Sequence, residues 1–399
     1  MWLETQLQSL LGFGRRSAAP GGGAAYLDGS GAPDPDAGVL TWITCRTVHV
    51  YALGAMLGIP GCGAVAHGAF QGLLGRLRDG AHGGWFHALD SEGAPDIAAG
   101  KTCYDHAFVL LAASSACLAG LPGARGLLDD ACAVFLDRFW DEDEGLAADS
   151  WDAAFTALDP YRGLNGNMHA VEAMLAVADA TGDEAWRDRA ARVARFVVRL
   201  ADEHDGRLPE HFDAHWTPDL QFNADRAADR FKPFGATVGH GLEWSRLLLQ
   251  TEGALGTAAA PDLLDTAVAL FDRAVSDGWR VDGADGFVYT TDWSGAPVVR
   301  SRMHWVAAEA IAAADALHRR TGESRYGELY ATWWDYTATF HIDHDRGSWH
   351  HELDPTNRPT DGTWPGKPDL YHAVQAVLLP RLPLGTSIAR AIRDGNPAS

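Results

Sequence analysis

The stretch HGGWFHALDSEG at residues 82–93 decides the fold, because related stretches recur along the chain. Each copy has a glycine, then apolar or aromatic residues, and then an aspartate with turn residues. The copies are GAAYLDGSGAP (23–33), EGLAADSWDAAF (144–155), HDGRLPEHFDAHW (204–216), ADGFVYTTDWSGAP (284–297) and DRGSWHHELDPTNRP (345–359). Their marker glycines, Gly23, Gly84, Gly145, Gly206, Gly286 and Gly347, are 61, 61, 61, 80 and 61 residues apart. The sequence therefore contains six repeats, and the fourth carries an insertion.

Each repeated stretch predicts a short β-hairpin followed by two helices, for example 101–119 with 126–139 and 167–180 with 183–202. The first helix of a pair is apolar nearly all round, as in YDHAFVLLAASSACL. The second has a charged face, as in DEAWRDRAARVARFVVRLAD. This alternation indicates an inner ring of helices inside an outer ring. We therefore expect an all-α (α/α)6 barrel, a single domain over 1–399, with hairpins at the active-site face and 1–11 as an outer helix.

Composition excludes several classes of protein. The 399 residues are 47% hydrophobic and 21% charged, which is typical of a globular protein. The formal charge of −21 repels phosphate backbones and anionic lipid, so nucleic acid and membranes are not expected partners. No signal peptide is visible and no run approaches the ~20 apolar residues of a membrane span. The five cysteines show no CxxC or zinc spacing, which favours reduced thiols and a cytoplasmic location.

The N-terminal ends of the inner helices are predicted to surround one mouth of the barrel. Ionisable groups in that otherwise apolar wall are costly unless they are used, so we interpret them as a functional site, although any one histidine alone is more often structural. Several lie at similar distances from the marker glycines. The polar residues at these positions are Arg46, Tyr104, His106, Asn167, His169, His240, Glu243, Trp305, Glu309 and His372.

A metal or cofactor site is not predicted. The pairs His211 with His215 and His341 with His344 lack a third ligand of matching spacing. Arg46 and Arg230 argue against a cation among the inner-ring histidines. No phosphate-binding or dinucleotide-binding glycine motif stands in a suitable context.

Six motifs contain the candidate residues. They are RTVHVYALGAM (46–56), GKTCYDHAFVLLA (100–112), NGNMHAVEAMLA (165–176), RFKPFGATVGHGLEWSRLLL (230–249), MHWVAAEAI (303–311) and KPDLYHAVQA (367–376). Over essentially the whole chain they resemble the N-acylglucosamine 2-epimerase superfamily, and within it the mannose isomerase and sulfoquinovose isomerase branch. The resemblance implies an aldose–ketose isomerase, without cofactor, that acts on a monosaccharide. D-Mannose with D-fructose is the first pair expected, and D-lyxose with D-xylulose the second.

The resemblance also implies roles for residues. We expect His372 to move a proton between C2 and C1 through a cis-enediol, with Glu309 orienting it. His240, supported by Glu243, would protonate the ring oxygen. The expected substrate-binding residues are Arg46, which would also stabilise the enediolate, and Tyr104, Asn167, His169, Arg230 and Trp305.

The same residues also suit other functions. Return of the proton to the opposite face of C2 would make the protein a 2-epimerase, and a sulfonated sugar is a possible substrate of the same residues. Many relatives carry two tryptophans followed by proline where His304, Trp305 and Val306 stand here, and the missing aromatic ring disfavours a disaccharide substrate. A glycoside hydrolase would use Glu243 and Glu309 as its carboxylate pair, and a non-catalytic sugar-binding protein would need no acid or base. The oligomeric state is not predicted.

Overall fold

The computed structural model describes residues 1–395, whose regular structure is mainly α-helical. The helices are α1 (Trp2–Phe13), α2 (Thr41–Met56), α3 (Cys62–Leu74), α4 (Cys103–Leu118), α5 (Ala124–Val134), α6 (Leu164–Thr181), α7 (Ala185–Glu203), α8 (Val238–Leu255), α9 (Leu263–Gly278), α10 (His304–Thr321), α11 (Ser324–Tyr336), α12 (Tyr371–Leu378) and α13 (Ile388–Arg393). Helices α5 and α11 each continue into a π-helical turn, over Phe135–Phe139 and Thr337–His341. The predicted helix 101–119 begins two residues late, because Lys101 and Thr102 form a strand.

The strands are very short. They are β1 (Val39–Leu40), β2 (Ala88–Leu89), β3 (Lys101–Thr102), β4 (Trp140–Asp141), β5 (Leu146–Ala147), β6 (Ser150–Trp151), β7 (Arg162–Gly163), β8 (His211–Phe212), β9 (Ala236–Thr237), β10 (Thr290–Thr291), β11 (Pro297–Val299), β12 (Arg302–Met303) and β13 (Glu352–Leu353). The predicted hairpins are present as pairs of tight turns. In the second repeat, single bridges join Arg78 to Trp85 and Leu89 to Pro95.

Backbone conformation explains why glycine marks each repeat. All six marker glycines have positive φ, from 71° at Gly84 and Gly145 to 111° at Gly286. L-residues with a side chain rarely adopt this conformation, whereas glycine does so at little cost. At Gly84 a Cβ would also lie 2.7 Å from Nε2 of His106. The regular spacing in the sequence is therefore the spacing of a turn that requires glycine.

An aspartate closes the second turn of each repeat. In five of the six copies its carboxylate accepts hydrogen bonds from the backbone N–H groups two and four residues later, as Asp292 does from Ser294 and Ala296 at 2.9 Å each. The others of this kind are Asp28, Asp90, Asp213 and Asp354, while Asp152 bonds residues four and five positions on. The strands are too short for many backbone hydrogen bonds between them, and these side-chain bonds stabilise the turn instead.

The start of an inner helix is fixed by the following repeat. The first N–H groups of a helix have no partner inside it. Here Thr41 N–H donates to the carbonyl of His87 at 2.9 Å, and Cys103 N–H to that of Asp149 at 2.7 Å. Val238 and His304 make the same bond to Tyr289 and His351. Antiparallel pairing of β1 with β2, β3 with β6, β9 with β10 and β12 with β13 accompanies these bonds. The register of these four helices is thus set at their first residues.

The chain divides into two compact units, named here by their place along the sequence. The terminal unit holds residues 1–193 and the segment from Gly366, and the central unit holds residues 194–365. In the terminal unit α4 packs against α2, α5 and α6, and α12 packs against α1 and α2. In the central unit α8 packs against α9 and α10, and α10 also packs against α11. Within residues 1–395 we find no helix suited to crossing a membrane.

Candidate active site

Most of the predicted site residues occupy two recurring positions on the inner helices. Arg46, His169, Glu243 and Glu309 are each the sixth residue of their helix, on α2, α6, α8 and α10. The second position holds Tyr104 on α4, Trp305 on α10 and His372 on α12, and His240 is the third residue of α8. Residues two and six lie about one turn apart on a helix face. Because the helix starts are fixed, these positions are fixed as well.

Arg46 is held rigidly inside the terminal unit. It is 5% exposed, and its Nη1 pairs with Oδ2 of Asp369 at 2.5 Å. Its Nη2 donates to the hydroxyl of Tyr104 at 2.9 Å. Its guanidinium carbon lies 4.4 Å from the ring centre of Phe108 and 4.8 Å from that of Tyr371. Aromatic faces and a carboxylate therefore stabilise a cation in a place from which water is largely excluded.

Aromatic rings surround the two candidate histidines of the terminal unit. The imidazole of His169, which is 5% exposed, has its centre 4.6 Å from Phe108 and 5.1 Å from Tyr104. His372 is 4% exposed and meets the ring of Tyr371 edge-on at 4.8 Å. The rings are thus confined to narrow orientations by packing.

Glu172, which follows His169 by three residues, joins two helices of the terminal unit. Its carboxylate accepts hydrogen bonds from the hydroxyl of Tyr371 and, at 2.6 Å, from Nε2 of Gln375. These bonds tie α6 to α12, and with them the helix that bears His372. The role of Glu172 in this structure is therefore to hold α12 in place.

In the central unit His240 is paired with a carboxylate that the sequence did not suggest. Its Nδ1 lies 2.7 Å from Oε1 of Glu210, a residue 5% exposed in the turn before β8. The ring also lies 5.2 Å from that of Trp305, at an interplanar angle of 36°. The hypothesis that Glu243 supports His240 is wrong, because the carboxylate that pairs with the ring is that of Glu210. Glu243 lies three residues further along α8, and its carboxylate is directed to Arg246 instead.

Arg246 brings the two candidate glutamates of the central unit together. Its Nε donates to Oε2 of Glu309 at 2.7 Å and its Nη2 to Oε1 of Glu243 at 3.4 Å, and all three side chains are 1% exposed. Oxygen atoms of the two carboxylates come within 4.8 Å of each other. Two carboxylates so close would suit a cation, and here the guanidinium serves as that cation.

Arg230 occupies a different environment from the other candidates. It is exposed in the insertion of the fourth repeat, and its guanidinium carbon lies 3.9 Å above the ring centre of Trp364. Phe231 meets the same indole edge-on at 5.2 Å. A hydrogen bond within the insertion stabilises it, since Asn223 Nδ2 donates to the carbonyl of Lys232 at 2.7 Å. Arg230 is thus available at the surface of the central unit.

The structure contradicts a substrate-binding role for Asn167. Its amide oxygen accepts from the N–H of Ala147 at 2.8 Å, and its amide nitrogen donates to the carbonyls of Ala147 and Gly163 at 2.9 and 3.1 Å. Both amide protons are used by backbone, and the side chain is 1% exposed. Asn167 therefore fastens β5 to the start of α6. The spacing argument missed this because a buried loop needs such bonds as much as a ligand does.

His106 is likewise structural. Its Nδ1 bonds the carbonyl of Thr102 at 2.7 Å and its Nε2 accepts from the N–H of Trp85 at 3.2 Å. Burial lowers the pKa of His106 to about 4, so the ring is neutral at neutral pH. It is the fourth residue of α4, between the second and sixth positions that the candidates occupy, and it stabilises the turn at Gly84 instead.

Three residues were missed by the sequence argument: Glu210, Arg246 and Asp369. Each lies within a stretch quoted for another reason, and each is a charged residue among buried neighbours. A charged residue within an otherwise apolar stretch is the signal that could have identified each of the three. The partner of each charge, however, lies far along the sequence, except that Arg246 also reaches Glu243 within its own helix.

Comparison with known proteins agrees over nearly the full length. The model of a family described as N-acylglucosamine 2-epimerase (GlcNAc 2-epimerase) matches residues 22–376. A D-mannose isomerase of Thermobifida fusca is 54% identical over 397 residues, covering 98% of this chain and 96% of that protein. A D-mannose isomerase of Pseudomonas cannabina pv. alisalensis is 46% identical over 399 residues, covering 98% of this chain and 94% of that protein.

A solved structure supports the same likeness. The crystal structure of a D-mannose isomerase superposes with a TM-score of 0.88 at 27% identity, and the match covers 95% of this chain and 97% of that one. The predicted fold class, an all-α (α/α)6 barrel, is confirmed by this match.

Proposed function

Because this chain belongs to the N-acylglucosamine 2-epimerase family, we propose that it is an aldose–ketose isomerase that interconverts D-mannose and D-fructose. The observation that carries this function is the 54% and 46% identity, over nearly whole chains, to two proteins named D-mannose isomerase. The buried arginine and the carboxylate-paired histidine described above fit the chemistry that the reaction requires.

The reaction needs three things from the protein. The sugar ring must open, a proton must leave C2 and return at C1, and the negative charge that develops on O1 and O2 must be stabilised. Histidine can give and take protons near neutral pH, and such transfers contribute about 10²–10⁴-fold each. A fixed donor aimed at a developing oxyanion contributes on a similar scale.

We assign these tasks as follows. His372 moves the proton between C2 and C1, and His240 protonates the ring oxygen as the ring opens. Arg46 stabilises the enediolate, since its guanidinium is held in place by Asp369 before any substrate arrives. His169, Tyr104, Arg230 and Trp305 bind the remaining hydroxyls and sugar faces. An orienting role of Glu309 for His372 stays a prediction.

A glycoside hydrolase is disfavoured by the ion pairs that Glu243 and Glu309 make with Arg246, although their separation alone would suit a retaining enzyme. Retaining hydrolases hold their two carboxyl groups about 5–5.5 Å apart, and inverting ones about 6.5–9.5 Å. The oxygen atoms of Glu243 and Glu309 come within 4.8 Å, and both side chains bind Arg246. A carboxyl group that accepts from a guanidinium is poorly suited to act as the general acid that a hydrolase needs.

A panel of sugars tests the function. The wild-type protein is incubated separately with D-mannose, D-lyxose, N-acetyl-D-glucosamine, cellobiose and sulfoquinovose, and products are separated by chromatography. We expect fructose from mannose as the main conversion, with a slower conversion of lyxose to xylulose. A dominant 2-epimer from any sugar, or conversion of sulfoquinovose alone, would replace the proposed substrate.

Asn167→Ala tests the structural assignment of that residue. The substitution leaves the N–H and carbonyl of Ala147 without the amide that satisfies them, and a buried unpaired group costs about 1–3 kcal/mol. We expect the free energy of unfolding, measured with urea, to fall by about that amount, and KM for mannose to stay within about twofold of wild type. A large rise in KM at unchanged stability would restore the original assignment of Asn167 as a substrate-binding residue.

A further inference from the structure

We propose that Glu210 is a positioning residue for the reaction, which holds His240 in the single tautomer that proton transfer requires. This inference rests on the proposed function and adds a residue that the six motifs do not contain. Its starting point is the 2.7 Å contact between Oε1 of Glu210 and Nδ1 of His240, both within the central unit.

The contact determines which ring nitrogen carries hydrogen. A carboxylate only accepts hydrogen bonds, so Nδ1 of His240 must be the donor. In the neutral ring Nε2 is then the nitrogen with a free lone pair, and it becomes the atom that takes or gives a proton. Without the carboxylate, the two tautomers would compete, and one of them presents the wrong nitrogen.

The surroundings of Glu210 show that this arrangement is specific. The carboxylate is 5% exposed, and a buried carboxylate is costly unless a partner stabilises it. Among the residues that the structure describes, His240 is the group it bonds. The neighbouring His211 anchors the same turn, since its Nε2 bonds the carbonyl of Pro233 at 2.9 Å. The segment that carries Glu210 is thus anchored by His211, and it holds the carboxylate next to His240.

A comparison with His106 indicates what the pair can do. Both nitrogens of His106 are occupied by backbone groups, so that ring can neither take nor give a proton without losing a bond. His240 has a carboxylate on one side only, and its ring is 12% exposed as a side chain. His240 is therefore equipped for proton transfer.

Glu210→Gln tests the proposal, because the amide oxygen can still accept from Nδ1 but carries no charge and the amide N–H group can compete for the ring. We expect kcat for mannose to fall by about 10- to 100-fold, as for loss of a charged hydrogen bond, with KM changed less. We also expect the acidic limb of the kcat/KM profile against pH to move. Glu210→Asp, which restores the charge, is expected to recover part of the rate.

A matched control is available in the terminal unit. His87 and Asp105 form a pair of the same kind, with Nδ1 2.8 Å from Oδ2. Asp105→Asn is expected to lower stability without moving the pH profile. If Glu210→Gln loses only stability in the same way, with its pH profile in place, or keeps the full rate, Glu210 is a structural residue and the proposal is overturned.

A measurement without catalysis separates this proposal from the proposed function. Nitrogen-15 NMR of the histidine-labelled protein reports which ring nitrogen is protonated, and His240→Gln identifies the signal. At a pH where the ring is neutral, wild type is expected to show hydrogen on Nδ1, and Glu210→Gln a mixture. Hydrogen on Nε2 of the wild type would overturn the inference, whichever sugar the protein converts.

Discussion

His372→Ala is expected to lower the rate of mannose–fructose interconversion by about 10²–10⁴-fold, the range typical of a lost general base. In the assignment made above, His372 is the group that removes the proton from C2 and returns it at C1. It is the second residue of α12, and its ring is buried and packs edge-on against Tyr371. Alanine removes the imidazole, and a water molecule in its place is a much weaker base.

The rate is followed by proton NMR in D₂O, which reports exchange at C1 and C2 as well as product. His318→Ala is the control, because His318 is an exposed histidine near the end of α10 and takes no part in the proposed site. Fructose binding, measured by calorimetry, is expected to persist in His372→Ala. Exchange at the wild-type rate in that variant would remove His372 from the mechanism.

Arg46→Lys is expected to produce the second large loss, about 10²–10³-fold in kcat, comparable to the loss of one donor to an oxyanion. Lysine keeps the charge but cannot contact Asp369 and Tyr104 at the same time as the planar guanidinium does. The charge would remain near the site while its direction is lost. KM is expected to change less than kcat, because the interaction is strongest in the transition state.

Arg46→Ala separates this effect from a structural one. Removing the guanidinium leaves the carboxylate of Asp369 buried, and breaking a buried ion pair costs about 3–5 kcal/mol. We therefore expect the alanine variant to lose stability in urea as well as activity, whereas the lysine variant stays folded. Equal activity of the lysine variant and wild type would mean that Arg46 contributes only charge.

The repeat is the part of the fold that the sequence predicts best. Gly84 and its five counterparts recur because a positive φ favours glycine at that position. The period of the backbone is therefore visible in the sequence as a regular spacing of glycines. The alternation of fully apolar and amphipathic helices distinguishes inner from outer helices, because an inner helix is buried all round and an outer helix only on one face. The short strands and the helix starts were less predictable, since they depend on bonds between repeats such as that from Thr41 to His87.

The site was only partly predictable for a similar reason. Arg46, Tyr104, Trp305 and His372 could be placed on the inner helices, because those helices offer few positions for polar residues, and their roles stay predictions. The partner of His240 was misjudged, because Glu243 shares its helix whereas Glu210 reaches it from 30 positions earlier along the chain. Sequence spacing detects neighbours on one helix, but contacts from a separate turn appear only once the chain is folded.

The central claim is that a proton leaves C2 and returns at C1 through an enediol. Incubation of D-mannose with the wild-type protein in D₂O, with NMR analysis of recovered sugars, tests it directly. We predict fructose that carries deuterium at C1 in a single configuration. Fructose that stays free of deuterium at C1 after many turnovers, or glucose labelled at C2 as the main product, would contradict the claim.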